Sequence, residues 1–248
     1  MKKLNITTLL CGLILFINSC GGSDNKTDDG STTAKSIDEV ETTAKSVAEG
    51  EVAIGNQIWT SKNLDVETYR NGDAIPQVID EDVWNKLTTG AWCYYANNPT
   101  NGTVYGKLYN CYAVNDPRGL APKGYHIPTD AEWTILTDYL SGGKLEGEDS
   151  FDRAMVGICG NKMRSKNGWQ NAPDGNGTNS SGFNGLPGGY LTRHGFSLVR
   201  ERGYWWSSSI TLEFKTDSYY RNLIYGYVGI QRGYYSHKIG MSVRCIRD

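Results

Sequence analysis

Residues 124–136, Gly-Tyr-His-Ile-Pro-Thr-Asp-Ala-Glu-Trp-Thr-Ile-Leu, constrain the fold of this chain more than any other stretch. Thr129 and Glu132 have the spacing of a capping box, in which each side chain accepts a hydrogen bond from the other residue's backbone amide. The apolar residues that follow recur at i, i+3 and i+7, which places them on one face of a helix: Trp133, Leu136 and Leu140. The Gly142-Gly143 pair can end that helix, since glycine tolerates positive φ. We therefore expect an amphipathic helix over residues 130–141.

Outside this helix, the sequence has the pattern of short strands and ordered loops. The chain contains 30 glycines and few long apolar periods, which argues against a helical bundle. Residues 52–59 are expected to form two short strands around a Gly-Asn turn. Further strand-like runs between turn residues are expected at 91–96, 105–113, 183–190, 203–209, 219–227 and 240–247. Other expected features are a helical turn at 83–87, a turn at 97–102, a less regular second helix within 151–166 and a polar loop at 171–182. The predicted fold class is α+β, with short antiparallel strands, long loops and one main helix.

The first 19 residues have the pattern of a bacterial export signal. Met1-Lys-Lys supplies positive charge, and residues 9–17 form an apolar run that is too short to span a membrane comfortably. The run closes on Ile-Asn-Ser-Cys-Gly-Gly, which resembles the lipobox of bacterial lipoproteins, although Ile17 and Asn18 depart from its usual residues. We expect lipid attachment at Cys20, with palmitate-type acyl chains. Ordinary cleavage and release of the protein is the alternative.

Residues 20–50 are predicted to be a flexible polar tether. They contain no aromatic residue and carry seven acidic against three basic side chains, so they bury too little apolar surface to offset the entropy of ordering. Asp24, Asp28 and Asp29 resemble the acidic surface-export signals of Bacteroidota-type lipoproteins, with a plain acidic spacer as the alternative. The net charge of the chain is −2, and residues 51–248 carry equal numbers of acidic and basic side chains. Without a basic surface, nucleic acid is not an expected partner.

Seven short blocks of residues 51–248 are distinctive and occur in a fixed order. They are Ile54-Gly-Asn-Gln-Ile-Trp59, Asn63-Leu64, Tyr105-Gly-Lys-Leu-Tyr109, Gly124-Tyr-His-Ile-Pro-Thr-Asp-Ala-Glu-Trp133, Gly182-Phe-Asn-Gly-Leu-Pro-Gly-Gly189, Trp205-Trp-Ser-Ser208 and Ser242-Val-Arg-Cys245. In this order they resemble the Fibrobacter succinogenes major paralogous domain, a family thought to be similar to C-type lectin-like folds and formylglycine-generating enzymes. The resemblance implies one mixed α+β domain whose two ends are close together and whose loops can carry a site. It does not imply an activity, because one fold hosts many functions.

The exported domain contains four cysteines: Cys93, Cys111, Cys159 and Cys245. An even count allows two disulfides in any of three pairings, each adding about 2–4 kcal/mol, and burial of free thiols is the alternative. The family usually has Trp where Cys111 and Tyr125 stand. The sequence contains no Cys-x-x-Cys spacing and no paired His and Cys residues that would indicate zinc.

An enzymatic function is not expected. The resemblance to formylglycine-generating enzymes would imply an oxidase with two copper-binding cysteines near the C-terminal strand. Only Cys245 matches that pattern, and residues 223–243 contain no cysteine. The histidines His126, His194 and His237 lie in no nucleophile elbow and no metal-binding helix spacing. We expect His126 to pack beside the helix cap.

Calcium is the one cofactor that the sequence leaves open. Lectin-like domains often bind calcium through loop oxygens, and Asp174, Asn176 and Asn179 offer such oxygens in a glycine-rich loop. The Glu-Pro-Asn, Gln-Pro-Asp and Trp-Asn-Asp motifs of C-type lectins are absent from the sequence. The alternative is that these side chains cap their own turns.

Four aromatic doublets are the candidate ligand-binding features, at 94–95, 205–206, 219–220 and 234–235. Since neighbouring strand residues point to opposite faces, each doublet is expected to direct one ring inward and one outward. An outward Tyr or Trp offers an apolar face with a polar group, which suits a sugar ring or a protein partner. The expected ligand-binding residues are Trp206, Tyr220 and Tyr235, with Arg193 and Arg202 at the rim. Rings packed beneath loops and a solvated charged hairpin are the alternatives.

Together these features predict a non-catalytic binding protein that is lipid-anchored in the bacterial outer membrane and exposed at the cell surface. Its expected partners are the membrane, through the lipid, and a glycan or a surface protein. A tether of about thirty residues that behaves as a coil reaches roughly 30 Å. A structural or assembly role in the cell envelope is the alternative function.

Overall fold

The computed structural model describes residues 47–143 and 159–248. The expected export signal, the lipid-attachment residue Cys20 and nearly all of the tether lie outside the described residues, as do residues 151–158 of the expected second helix. Within the described residues, no helix is long and apolar enough to cross a membrane. These residues belong to one compact unit, Ala44–Asp248.

Nine of the eleven strands in the described residues have six residues or fewer. The eleven strands are β1 (Glu51–Ile54), β2 (Gln57–Thr60), β3 (Trp92–Cys93), β4 (Leu108–Tyr109), β5 (Tyr125–His126), β6 (Gly188–Thr192), β7 (Gly195–Val199), β8 (Arg202–Ile210), β9 (Asp217–Ile224), β10 (Gln231–Ser236) and β11 (Ile246–Arg247). The helices are α1 (Glu81–Trp84), α2 (Pro99–Tyr105), α3 (Cys111–Val114), α4 (Asp130–Ser141) and α5 (Cys159–Met163), with a 3₁₀ turn at Tyr95–Asn97. Among these helices only α4 exceeds seven residues, which confirms the prediction of one main helix.

Two sheets organise the domain. One has the order β1-β2-β11-β5 and the other β10-β9-β8-β6-β7, with β3 and β4 forming a separate pair. Neighbouring strands are antiparallel except β6 and β8, so the predicted α+β class with short antiparallel strands is confirmed. The first and last strands flank β2, and Arg247 Nη1 lies 3.1 Å from Glu51 Oε2. The two ends of the domain are therefore adjacent, as the family resemblance implied.

The main helix, α4, begins at the capping box that the sequence predicts. Thr129 Oγ1 accepts from the Glu132 amide at 3.2 Å, and Glu132 Oε2 accepts from the Thr129 amide at 2.8 Å. The apolar stripe is buried as expected: Trp133, Leu136 and Leu140. Gly142 ends the helix in the left-handed region, at φ 86°. His126 packs beside the cap, with its Nε2 2.8 Å from Glu132 Oε1.

Asp130, the first residue of α4, fixes the helix to the five-stranded sheet. Its Oδ1 accepts from Arg221 Nη1 at 2.6 Å, and its Oδ2 accepts from Arg232 Nη2 at 2.8 Å. The Arg221 side chain is almost completely buried, and the Arg232 guanidinium lies 4.1 Å from the centre of the Tyr219 ring. One carboxylate thus serves two cations between helix and sheet.

The central strand β8 is covered on both faces. Trp205 packs on one face in a cluster that includes Trp59, Trp133 and Phe183. Trp206 packs on the other face with Tyr109 and Met241, has 0% exposed surface, and donates from Nε1 to the Tyr109 carbonyl at 2.9 Å. Strand alternation does place the two rings on opposite faces, but neither face meets solvent. The prediction that Trp206 is a ligand-binding residue is therefore wrong.

Arg244 connects several of the distinctive sequence blocks from a fully buried position. Its guanidinium donates at 2.7–3.0 Å to four oxygens: Asn63 Oδ1 and the carbonyls of Thr60, Phe183 and Asn184. The same Asn63 oxygen accepts from Trp205 Nε1 at 2.8 Å. The guanidinium also lies 4.5 Å from the centre of the Phe183 ring. Blocks far apart in the sequence thus share one buried hydrogen-bond network.

Residues 97–113 differ most from the sequence prediction. The expected turn leads into α2, because the Asn98 side chain caps that helix and Pro99 occupies its first position. The expected strand at 105–113 is interrupted by Gly106, at φ 72°, and by Asn110, whose side chain accepts from the Ala113 amide and begins α3. Strands β7 and β10 lie outside the expected strand-like runs. The polar loop at 171–182 is confirmed, since it contains no helix or strand.

Candidate functional site

Four tyrosines, one from each of the adjacent strands β6, β8, β9 and β10, form a cluster at one face of the five-stranded sheet. They are Tyr190, Tyr204, Tyr220 and Tyr235. The Tyr220 and Tyr235 rings stack with centres 5.4 Å apart and an interplanar angle of 17°. Tyr190 lies 4.6 Å from Tyr204 and 6.2 Å from Tyr235, again between ring centres. Gly233 makes this arrangement possible, because a Cβ there would lie 2.5 Å from the Tyr220 hydroxyl.

The tyrosine cluster forms one wall of an open cleft of about 670 Å³, which we call the tyrosine cleft. Its lining residues are Asn85, Tyr190, Thr192, Arg193, His194, Tyr235, Ser236, Lys238 and Ile239. Tyr235 is 38% exposed, whereas Tyr204 and Tyr220 lie buried behind it. The volume is within the range of about 300–1,000 Å³ that is typical of small-ligand sites. An exposed aromatic ring with polar groups around it can hold a ligand face and fix its orientation.

Burial keeps the tyrosine hydroxyls protonated. Desolvation raises the pKa of Tyr204 and Tyr220 far above the usual value, and it also raises the pKa of Tyr190, with a further contribution from neighbouring Tyr235. Arg202 is the charged neighbour of all three hydroxyls, and its Nη1 lies 3.5 Å from the Tyr204 hydroxyl. The hydroxyls of Tyr190, Tyr204 and Tyr220 are therefore neutral and can donate hydrogen bonds at physiological pH.

The structure brings together four of the five residues that the sequence predicts for ligand binding. Tyr235 and Arg193 line the tyrosine cleft, Tyr220 stacks directly behind Tyr235, and Arg202 lies against the cluster. Sequence reasoning missed Tyr190, Thr192 and Lys238, which approach from the hairpin β6–β7 and the end of β10. The signal for Tyr190 was present, because it directly follows the Gly188-Gly189 pair of a distinctive block.

The loop proposed for calcium uses its side-chain oxygens within the protein. Asn176 Oδ1 accepts from the Trp169 amide at 3.3 Å, and Asn179 Oδ1 accepts from the Asn184 amide at 2.7 Å. The Asp174 side chain is exposed on the same loop and takes no part in these two hydrogen bonds. These contacts correspond to the alternative in which the side chains cap their own loop. Across residues 47–143 and 159–248, no group of three or more His, Cys, Asp or Glu side chains is placed to hold a metal ion.

The four cysteines are buried free thiols, which corresponds to the second of the two alternatives given by the sequence. Desolvation raises the pKa of both Cys111 and Cys245 to about 12. Burial likewise raises the pKa of Cys93 and Cys159. Since the thiolate is the nucleophile and the metal-binding form, these groups are inert as they stand. Cys245, the residue that matched the copper-binding pattern, is therefore a packed apolar residue in this structure.

A Ser–His contact occurs beneath the tyrosine cluster, where Ser218 Oγ lies 3.1 Å from His237 Nε2. Burial lowers the pKa of His237, so that the ring is neutral at pH 7. The serine, however, is completely buried and does not line the tyrosine cleft. A substrate carbonyl could not approach its hydroxyl without unpacking the sheet, so this contact has the geometry of a packing interaction.

Comparisons with curated proteins and with solved structures returned no match. The family model described as Fibrobacter succinogenes major domain matches residues 52–247. The match begins in β1 and ends in β11, so it includes both sheets, the main helix and the tyrosine cleft. This chain therefore belongs to the Fibrobacter succinogenes major domain family.

Proposed function

We propose that this protein is a non-catalytic binding protein whose tyrosine cleft recognises a glycan at the bacterial cell surface. The observation that supports this most directly is the stacked pair of Tyr220 and Tyr235, with one ring buried and the other exposed in an open cleft. The buried ring holds the exposed ring in place, so little side-chain entropy is lost when a ligand stacks on it. A sugar presents a flat C–H face and peripheral hydroxyls, and the cleft offers a complementary ring and polar rim.

The architecture supports the finer proposal of a C-type lectin-like domain. A mixed α+β domain with adjacent ends is what the family resemblance implied. The non-catalytic part of the proposal is supported by the chemistry of the candidate nucleophiles. The four thiols are buried and protonated, and the Ser218 hydroxyl is enclosed.

Replacement of Tyr235 by Ala tests the proposal. We expect the dissociation constant for a glycan identified on an array to rise at least tenfold, because the exposed stacking surface is lost; tenfold corresponds to about 1.4 kcal/mol. Isothermal titration calorimetry measures the change. Tyr139→Ala is the matched control, since Tyr139 is exposed on α4 and does not line the cleft. Equal affinities of the Tyr235→Ala variant and the unchanged protein would refute the assignment of the cleft.

A structural role in the envelope is the second candidate, and one observation favours it. The end of β8 and the turn that follows it expose apolar side chains: Ile210, Leu212 and Phe214, of which Leu212 is 98% exposed. Such an apolar projection is typical of contacts with another protein. A partner captured from the native cell that depends on Leu212 and not on Tyr235 would favour this candidate.

We further propose that the domain is attached to the outer membrane through an acylated Cys20, supported by the lipobox-like residues 17–22. Replacement of Cys20 by Ser should abolish incorporation of radiolabelled palmitate and move the protein from the membrane to the soluble fraction, because the acyl chains supply the membrane affinity. Cys11→Ser is the matched control and should keep the label. Labelling that persists in the Cys20→Ser variant would contradict the attachment site.

A further inference from the structure

The tyrosine cleft carries an excess of positive charge. Arg193 and Lys238 line it, and Arg202 lies against the tyrosine hydroxyls. His194 also lines the cleft, where its Nε2 accepts from Arg193 Nε at 2.9 Å. No carboxylate is among the lining residues. Glu81 faces Gly195 in the β6–β7 hairpin and does not line the cleft.

These cations differ from the others on the same sheet in having no acidic partner. Arg221 and Arg232 share Asp130 on the opposite face. Within the described residues, Arg193, Arg202 and Lys238 form no ion pair with a carboxylate. Lys238 Nζ donates to the Asn85 carbonyl at 2.8 Å, which leaves two of its three ammonium donors for a ligand. A domain with balanced total charge thus places unneutralised cations at one cleft.

We propose, extending the glycan-binding function above, that the tyrosine cleft selects anionic glycans, whose sugars carry carboxylate or sulfate groups. One sugar ring stacks on Tyr235 while its acidic group accepts charge-assisted hydrogen bonds from Arg193 and Lys238. Such bonds are shorter and stronger than those between neutral groups, and a planar guanidinium matches the geometry of a carboxylate or sulfate. A neutral sugar could stack on the same Tyr235 ring, but it would leave the cations without a counter-charge.

Matched pairs of ligands test this directly on the soluble domain with its acyl anchor removed by the Cys20→Ser change. The first pair is oligogalacturonate and its fully methyl-esterified form, which share one backbone and differ in carboxylate charge. The second pair is dextran sulfate and dextran of equal length, which tests sulfate. We expect at least one acidic member to bind at least tenfold more tightly than its neutral counterpart. The difference should shrink as salt is raised from 50 to 500 mM, since exposed charges are screened.

Substitutions separate the charge effect from the ring. Arg193→Gln, alone and combined with Lys238→Gln, should bring the acid-to-neutral affinity ratio towards one, whereas Lys123→Gln, an exposed lysine outside the cleft, should leave the ratio unchanged. Thermal melting verifies that each variant is folded. Equal, salt-independent affinities for acidic and neutral glycans would overturn the charge inference and leave glycan binding standing. Binding of no glycan, with capture of a protein partner instead, would overturn both proposals.

Discussion

Replacement of Arg244 by Met is expected to lower the free energy of unfolding by about 3 kcal/mol, because it removes the donor from several buried acceptors at once. Two effects oppose each other. Burial lowers the pKa of Arg244 to about 9, which shows that its charge is costly to bury, and Met removes that cost. However, Met takes the Arg244 donor from three carbonyl oxygens, those of Thr60, Phe183 and Asn184, and each unsatisfied group costs about 1–3 kcal/mol. Asn63 Oδ1 keeps Trp205 Nε1 as a donor. We expect the loss of the four hydrogen bonds to dominate.

Urea denaturation followed by tryptophan fluorescence measures this change, because the network reaches Trp205 through Asn63. Arg244→Lys should also destabilise the domain, since one ammonium cannot reproduce the planar set of donors. Arg193→Met is the matched control, because Arg193 is exposed, and it should change stability by less than about 0.5 kcal/mol. An Arg244→Met variant as stable as this control would show that the network contributes no net stability.

Replacement of Asp130 by Asn is expected to cost about 3 kcal/mol at pH 7. The change removes the carboxylate charge that the buried Arg221 and the half-buried Arg232 share. Burial of Asp130 opposes ionisation, but hydrogen bonds and charge from Arg232 and Arg221 outweigh burial and hold the pKa of Asp130 below its usual range. Because the folded pKa is depressed, this contribution is present above the unfolded pKa and is lost as pH falls through the folded value.

The stability difference between the unchanged protein and the Asp130→Asn variant should therefore be constant near neutrality and shrink below about pH 4. Chemical denaturation from pH 7 down to pH 3 measures it. Asp174→Asn serves as control, since Asp174 is an exposed loop carboxylate. A difference that does not change with pH would mean that the carboxylate charge is not what the two arginines require.

The sequence predicts best those features that depend on local chemistry. The bounds of α4 follow from Thr129, Glu132 and Gly142, each of which acts on its own helix end, and all were found where expected. The hairpin β1–β2 follows in the same way from a turn at Gly55-Asn56 between short apolar runs. Such features need no knowledge of what packs against them, which explains why the sequence suffices for them.

Burial on the outer side of a strand could not be predicted, because it depends on distant parts of the chain. Alternation correctly separates the rings of Trp205 and Trp206, but the layer that covers Trp206 comes from residues near 109 and 241. The residues that make up the candidate site could not be fully predicted for the same reason. Tyr220, Tyr235, Arg193 and Arg202 were identified singly, whereas their convergence with Tyr190 and Lys238 depends on the order β10-β9-β8-β6-β7. No local pattern encodes that order, since β6 pairs with β8 although β7 lies between them in the sequence.

The adjacency of Glu51 and Arg247 also has a consequence for how this domain can be combined with others. A folded unit whose entry and exit points lie side by side can be inserted into a surface turn of a host protein, or duplicated in tandem, without separating its strands. In a tandem array, each copy would be connected to its neighbours at one end of the domain, which would leave the five-stranded sheet of each copy free to bind ligands. Gene fusion and duplication are therefore structurally inexpensive routes to multivalent versions of this domain.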